Sequence, residues 1–138
     1  LVGNELVVVG REVPADLART PWLLREEGSG TRLATERLLA DLDLGSAEAG
    51  APEVLTLGSN GAIKQGLVVG LGVTLISRFA VARELRDGTL CEIGVAGTPL
   101  TRPWHVLFSL SGPRRPAVRA FSEFLRSAQG RDIIEKLL

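Results

Sequence analysis

The chain has few of the side chains that most often carry chemistry: it contains one histidine, one cysteine, no tyrosine and no methionine. One histidine and one cysteine are too few for any usual zinc site. The lone Cys91 excludes an internal disulfide and fits a reducing compartment, and its short apolar run predicts a buried, inert thiol. No apolar run reaches the roughly 18 residues that span a membrane. We therefore expect a cytoplasmic chain without a metal, a cofactor or a membrane partner.

The chain also lacks net charge, because sixteen basic and sixteen acidic residues cancel. A protein that binds nucleic acid needs a basic surface for the phosphates, so we do not expect this chain to bind DNA by itself. Its 138 residues, 45% of them hydrophobic and 23% charged, are enough for one folded domain with a substantial core.

Common enzyme motifs are missing as well. Gly28-Ser29-Gly30 is not the G-x-S-x-G nucleophile elbow, and Gly70-Leu71-Gly72 lacks the third glycine of a dinucleotide fingerprint. The only histidine, His105, falls in a predicted apolar strand, where a half-buried structural histidine is expected. A hydrolase that pairs Ser29 with His105 stays open as an alternative, but we predict that the chain is not an enzyme.

What the chain does have is a regular alternation of short apolar runs and amphipathic segments. Continuous apolar runs predict strands, and apolar residues three or four apart predict helices. The predicted strands cover 6–9, 22–25, 54–57, 72–77, 89–95 and 103–110; the predicted helices cover 31–42, a segment from a cap at Ser59 or Asn60 to Val69, 79–85, and a last helix from Pro116. This order predicts an α/β domain with a largely parallel sheet.

The most informative segment is the glycine-rich turn between the strand 22–25 and the helix that follows it. Ser29 and Thr31 stand where this helix begins, and a helix start offers backbone N–H groups and a partial positive charge. Glycines let another molecule approach the backbone, so the turn suits a small anion or a carboxylate. The alternative is that Ser29 or Thr31 only caps its own helix.

A second polar turn, 58–60, follows the strand 54–57 in the same way. Ligands of α/β sheets bind beyond the carboxyl ends of the strands. Two such turns at one edge of the sheet favour a ligand site there over two unrelated caps.

Three segments in this order resemble the effector-binding domain of LysR-type transcriptional regulators. They are Trp22-Leu23-Leu24-Arg25-Glu26-Glu27-Gly28-Ser29-Gly30-Thr31-Arg32, the stretch LGSNGAIKQGLVVGLGVTLIS over 57–77, and ARELRDGTL over 82–90, followed by the strand at Arg102-Pro103 and the helix with Phe121. Each segment is weak evidence alone, but together they keep the order and spacing of the family over nearly the whole chain.

The resemblance implies a type 2 periplasmic-binding-protein-like fold, of which 1–138 would be a fragment of the effector-binding domain. Residues 11–102 would be approximately the second lobe, and 103–138 the part of the chain that returns to the first lobe. The family's DNA-binding winged helix-turn-helix and most of the first lobe would be absent from this chain.

The resemblance also implies a ligand-sensing function, in which a small anionic effector in the cleft between lobes controls DNA binding and transcription. Ser29, Gly30 and Thr31 match the family's effector contacts in the second lobe, and Ser59 and Asn60 are on the neighbouring turn. The alternative is the solute-binding module of a transporter-like protein, which shares the fold.

Three basic residues near these turns have separate expectations. Arg25 and Arg32 are candidate counter-charges for the effector, although for Arg32 we slightly favour a solvated residue with Glu36 four positions on. Lys64 is expected at the surface.

Assembly follows from the same resemblance. The helix 31–42 and the strand 54–57 resemble the family's side-by-side dimer face, so we expect a homodimer or tetramer in the full-length protein and an exposed apolar surface in this fragment. DNA would be bound only through a domain that this chain does not contain.

Overall fold

The computed structural model describes residues 3–44, 51–107 and 115–137. In chain order its elements are β1 (Gly3–Gly10), β2 (Trp22–Arg25), α1 (Gly30–Asp41), β3 (Val54–Leu57), α2 (Asn60–Val68), β4 (Val73–Ser77), a 3-10 turn (Arg78–Val81), α3 (Ala82–Arg86), β5 (Cys91–Glu92), β6 (Leu100–Pro103), α4 (Pro116–Arg126) and α5 (Ala128–Leu137). The strands β2 and β3 coincide with the predicted bounds, and α1, α2 and β4 agree within one residue at each end.

The strands form one mixed sheet in the order β3-β2-β4-β1-β5, with β6 paired to β1. The strand β2 lies parallel to β3 and to β4, which confirms parallel pairing at this side of the sheet. The strand β1 runs antiparallel to β4 and to β5, so the prediction of a largely parallel sheet was wrong on that side. Periodicity identifies a buried strand but does not give its direction, which depends on how the chain crosses the sheet.

Two apolar clusters cover the two faces of this sheet. On β1, Leu6 and Val8 pack into a cluster with α1, whereas Val7 and Val9 pack into a cluster with α2 and the 3-10 turn. Successive side chains of a strand point to opposite faces, so a continuous apolar run is what a strand covered on both faces requires. The helices α1 and α2 therefore lie on opposite faces of the sheet.

Close approach of α2 to the sheet depends on a glycine. A Cβ on Gly66 would stand 3.0 Å from Leu23 Cδ1, at the contact between α2 and β2. Gly72, before β4, has φ +154°, and a Cβ there would stand 2.1 Å from the Pro21 carbonyl oxygen. Gly66 therefore allows α2 to approach the sheet closely, and Gly72 allows the turn into β4.

The chain divides into two compact units. One unit is Glu5–Leu100, which contains both polar turns, and the other combines Leu1–Asn4 with Thr101–Leu138. The last helix begins at Pro116 as predicted, but it breaks at Ser127, whose hydroxyl accepts a hydrogen bond from Gly130 N at 3.0 Å and so caps α5.

Three expectations about the later part of the chain need correction. The predicted strand 103–110 is wrong over 104–107, which are exposed and irregular, and 108–110 lie outside the described residues. The predicted strand 89–95 is reduced to the two residues of β5. Cys91 is half-buried and free rather than buried.

Candidate functional site

The two polar turns lie side by side at one edge of the sheet. The parallel register pairs Trp22 with Val54 and Arg25 with Leu57, so β2 and β3 end at the same level. The backbone then enters α1 after β2 and α2 after β3. This confirms that both turns lie at carboxyl ends of neighbouring strands, where α/β sheets bind ligands.

The β2–α1 turn leaves the hydroxyl of its serine unused by the helix. Ser29 is the N-cap of α1 and has extended backbone (φ −69°, ψ 129°), but its side chain makes no capping hydrogen bond. Gly28 has φ +83°, which favours glycine, and a Cβ there would meet nothing within 4 Å. The Thr31 side chain is half-buried in the first turn of α1. The turn is therefore open and presents a side-chain oxygen that its own helix does not require.

The β3–α2 turn uses its serine differently. Ser59 is the N-cap of α2, and its Oγ accepts a hydrogen bond from Ala62 N at 3.1 Å. Asn60 begins the helix, and its Oδ1 accepts a hydrogen bond from Arg25 Nη1 at 2.6 Å. Ser59 is thus a helix cap, and Asn60 is the contact between the two turns.

Arg25 joins the two turns and is already paired. Its Nε donates to Glu26 Oε2 at 2.7 Å and its Nη2 donates to Glu26 Oε1 at 2.8 Å, in addition to the bond to Asn60. The guanidinium lowers the pKa of the half-buried Glu26 to about 2, chiefly through these hydrogen bonds. The charge of Arg25 is therefore balanced within the turn, and its predicted role as a counter-charge for an effector would require Glu26 to give way.

Arg32 faces the edge strand. Its Nε donates to Glu36 Oε1 at 2.7 Å, which is the pairing four positions along the helix that the sequence predicted. Its Nη1 donates to Arg25 O at 3.2 Å and to Thr56 Oγ1 at 3.3 Å. Its side chain is 21% exposed, so it is not freely solvated. It lines an open groove of about 550 Å³ together with Leu24, Glu36, Leu39, Ala40, Asp43 and Val54.

Lys64 and the buried Glu84 form an ion pair that sequence reasoning missed. Lys64 Nζ lies 2.8 Å from Glu84 Oε1, with 27% of the lysine side chain and 5% of the glutamate side chain exposed. Lys64 is therefore half-buried rather than a fully exposed surface residue. The hydrogen bond from Lys64 lowers the pKa of Glu84 despite its burial. One signal was available: Glu84 follows the buried Val81 by three residues, which puts both on the covered side of this short helical segment.

Other candidate chemistries find little support among the described residues. His105 is exposed and outside any strand, contrary to the half-buried strand histidine expected. Within the described ranges, no three His, Cys, Asp or Glu side chains are grouped as metal ligands would be. None of the helices in the described part of the chain is long and apolar enough to cross a membrane.

Known proteins resemble this chain in both sequence and fold. The family described as LysR substrate binding domain matches residues 3–130. The HTH-type transcriptional regulator CbbR of Xanthobacter flavus is 41% identical over 118 residues, which cover 83% of this chain and 33% of CbbR. The RuBisCO operon transcriptional regulator of Acidithiobacillus ferrooxidans is 36% identical over 135 residues, which cover 91% of this chain and 42% of that protein.

A solved structure agrees with these relatives. The regulatory domain of CcmR from Synechocystis PCC6803, in complex with 2-PG, matches with a TM-score of 0.71 and 27% identity over 90% of this chain and 62% of that chain. The chain spans less than half the length of the two curated relatives described above.

A mixed sheet with helices on both faces and this structural match define a domain of the periplasmic-binding-protein-like α/β fold, as predicted. The chain belongs to the LysR substrate-binding-domain family. The resemblance inferred from its three segments is therefore confirmed.

Proposed function

We propose that this chain is the effector-sensing part of a LysR-type transcriptional regulator and that it binds a small anionic effector at the paired turns. The observation that carries the proposal is the difference between the two N-cap serines. The Ser59 hydroxyl accepts a hydrogen bond from Ala62 N, whereas the Ser29 hydroxyl makes no capping bond. An N-cap serine without a capping bond keeps a donor and an acceptor available for a ligand.

The charge of the effector is inferred from the start of α1. The amino end of a helix carries a partial positive charge. The first turn of α1 contains no acidic residue that would neutralise this end of the helix. An anionic group near Ser29, Gly30 and Thr31 would therefore meet a favourable field. Ser59 and Asn60 would bound the site on the side of α2.

The effector chemistry is narrowed by a relative. CcmR was solved with 2-PG, and we propose 2-PG as the first candidate effector for this chain. Effector binding would shift the equilibrium between two arrangements of the subunits and so change how the regulator holds DNA.

The assignment of 11–102 to lobe two and of 103–138 to the return into lobe one, with the effector cleft between the lobes, stays part of this proposal.

The assembly of the regulator is also a proposal. The groove along α1 and β3 is lined by the exposed apolar side chain of Val54, and α1 exposes a second apolar side chain, Leu33. Because β3 is an edge strand, this surface suits the side-by-side pairing of subunits in a homodimer or tetramer. DNA binding belongs in this proposal to a helix-turn-helix outside the chain, and the regulator acts in the cytoplasm.

The proposal is tested by calorimetry with a full-length regulator that carries this chain. Wild-type protein is expected to bind 2-PG with an affinity that falls as the salt concentration rises, because salt screens an anionic ligand. Ser29→Ala is expected to weaken binding by roughly tenfold or more, the cost of a hydrogen bond to a charged group. Absence of 2-PG binding would rule out 2-PG as the effector. Unchanged affinity in Ser29→Ala would rule out Ser29 as part of the binding site.

A further inference from the structure

We propose that Lys64 and Glu84 are a positioning pair that holds the first turn of α2 in place for the effector, an inference that rests on the proposed function. Asn60 and Lys64 are four residues apart in α2, so they lie on one side of the helix, one turn from each other. Asn60 is held by Arg25 from the β2–α1 turn, and Lys64 is held by Glu84 from α3. The start of α2 is therefore fixed from two directions by polar contacts.

The burial of Glu84 makes this contact demanding. Only 5% of its side chain is exposed, and its Oε2 is buried with no hydrogen-bond partner among the described residues. Its other oxygen, Oε1, lies 2.8 Å from Lys64 Nζ and 3.3 Å from Arg83 Nη2. The Arg83 side chain is 81% exposed and is largely solvated, so the ammonium of Lys64 is the main partner of this carboxylate.

A buried carboxylate that loses its closest cation is left with only the largely solvated guanidinium of Arg83 at 3.3 Å. It must take up a proton or move towards water, and both changes release α2 from α3. The opposite end of the contact is held by the backbone, because the Glu84 carbonyl accepts a hydrogen bond from Leu90 N at 3.0 Å. Displacement would therefore appear at the start of α2, which contains Asn60 and follows the Ser59 cap.

The experiment uses a full-length regulator that carries this chain, with two readouts: amide hydrogen exchange over 60–64 and the affinity for 2-PG. Lys64→Met is expected to speed exchange in this turn about tenfold and to weaken 2-PG binding about tenfold, the signature of local opening coupled to binding. Lys64→Arg keeps a cation at this position and is expected to retain both values near wild type.

Two further variants separate positioning from simple loss of stability. Val95→Ala destabilises the core on the opposite face of the sheet, against α1, and is expected to leave hydrogen exchange over 60–64 unchanged. If Lys64→Met does not fold, Lys64→Met with Glu84→Leu removes the buried charge without restoring the link, and the same losses are expected.

Local exchange and affinity equal to wild type in the folded Lys64→Met protein would overturn the proposal, as would an equal acceleration of exchange over 60–64 in Val95→Ala. Failure of wild-type protein to bind 2-PG would count against the proposed effector, whereas the exchange readout would still decide whether Lys64 positions α2.

Discussion

Two serines begin neighbouring helices at the same edge of one sheet, yet they use their hydroxyls differently. Ser59 accepts a hydrogen bond from Ala62 N and has fully extended backbone, whereas Ser29 makes no side-chain cap. The residue type and its position before a helix are the same in both turns. The difference shows that local geometry, and not residue type, decides whether a serine at a helix start caps its helix. The β2–α1 turn, whose serine hydroxyl makes no capping bond, is the better candidate for a ligand site.

The largest expected effect concerns Thr31, which stands in the first turn of the helix that follows Ser29. Thr31→Val removes one hydroxyl and keeps the shape and the helix propensity of the side chain nearly constant. We expect effector affinity to fall by roughly 1.5–3 kcal/mol, or about ten- to a hundredfold, as measured by calorimetry on a full-length regulator.

The matched control for this prediction is Thr35→Val, one turn further along α1. Thr35 is buried, and its Oγ1 donates to Thr31 O at 3.0 Å, so the same substitution there changes stability but does not touch the surface of the turn. Wild-type affinity in Thr31→Val, or an equal loss in Thr35→Val, would contradict the assignment.

The second prediction compares the glycines of the two turns. Gly28 has φ +83°, so Gly28→Ala is expected to lower the free energy of unfolding by about 1–2 kcal/mol and to weaken effector binding. Gly58 has no such backbone, and a Cβ there meets nothing within 4 Å, so Gly58→Ala is expected to be neutral or stabilising by up to about 1 kcal/mol. Urea denaturation measures both; equal costs would show that the turns are not different in this respect.

The third prediction compares the stability lost when each of the two serines is replaced by alanine. Ser59→Ala is expected to lower the free energy of unfolding by about 1 kcal/mol, because the cap of α2 is lost. Ser29→Ala is expected to cost less stability, because α1 does not use its hydroxyl. A thermal melt of both variants decides the order, and a larger loss of stability in Ser29→Ala would break the comparison.

The smallest expected effect concerns the stability of the protein at acidic pH. The pKa of Glu26 is about 2 in the folded protein and its ordinary value is 4.5, so the ion pair with Arg25 contributes stability above about pH 4.5 and loses it as the pH falls towards 2. Glu26→Gln is therefore expected to make the loss of stability over this range slightly shallower, as measured by urea midpoints. The control is Glu27→Gln, the same charge change in the same turn, and an equal flattening there would remove Arg25 as the cause.

The sequence predicted the strands next to the site well, because their physical signals are local. The strands β2 and β3 are short apolar runs that end at polar turns, and their bounds needed no knowledge of the rest of the chain. The glycine at the left-handed position of the β2–α1 turn and the hydroxyls beside it are equally local signals. These local features indicated the candidate edge of the sheet, and the resemblance to the family also needed the segments 57–77 and 82–90.

The remaining features depend on contacts between distant residues. Arg25 and Asn60 are 35 positions apart, and no local pattern indicates that the arginine would bind an amide rather than an effector. Lys64 was expected in solvent because a lone lysine in a helix is usually exposed, but its partner Glu84 is buried on another helix. The strand prediction for 103–110 was wrong over 104–107 because an apolar run alone does not show that its residues are buried. In the structure, 104–107 are exposed.

The most direct test of the central claim is a crystal structure of a full-length regulator that carries this chain, grown with 2-PG. The account predicts an oxygen of the ligand within about 3.2 Å of both Ser29 Oγ and Thr31 Oγ1, with the Ser59 hydroxyl still on Ala62 N. A regulator that does not bind 2-PG, or that binds it with neither hydroxyl in contact, would contradict the account.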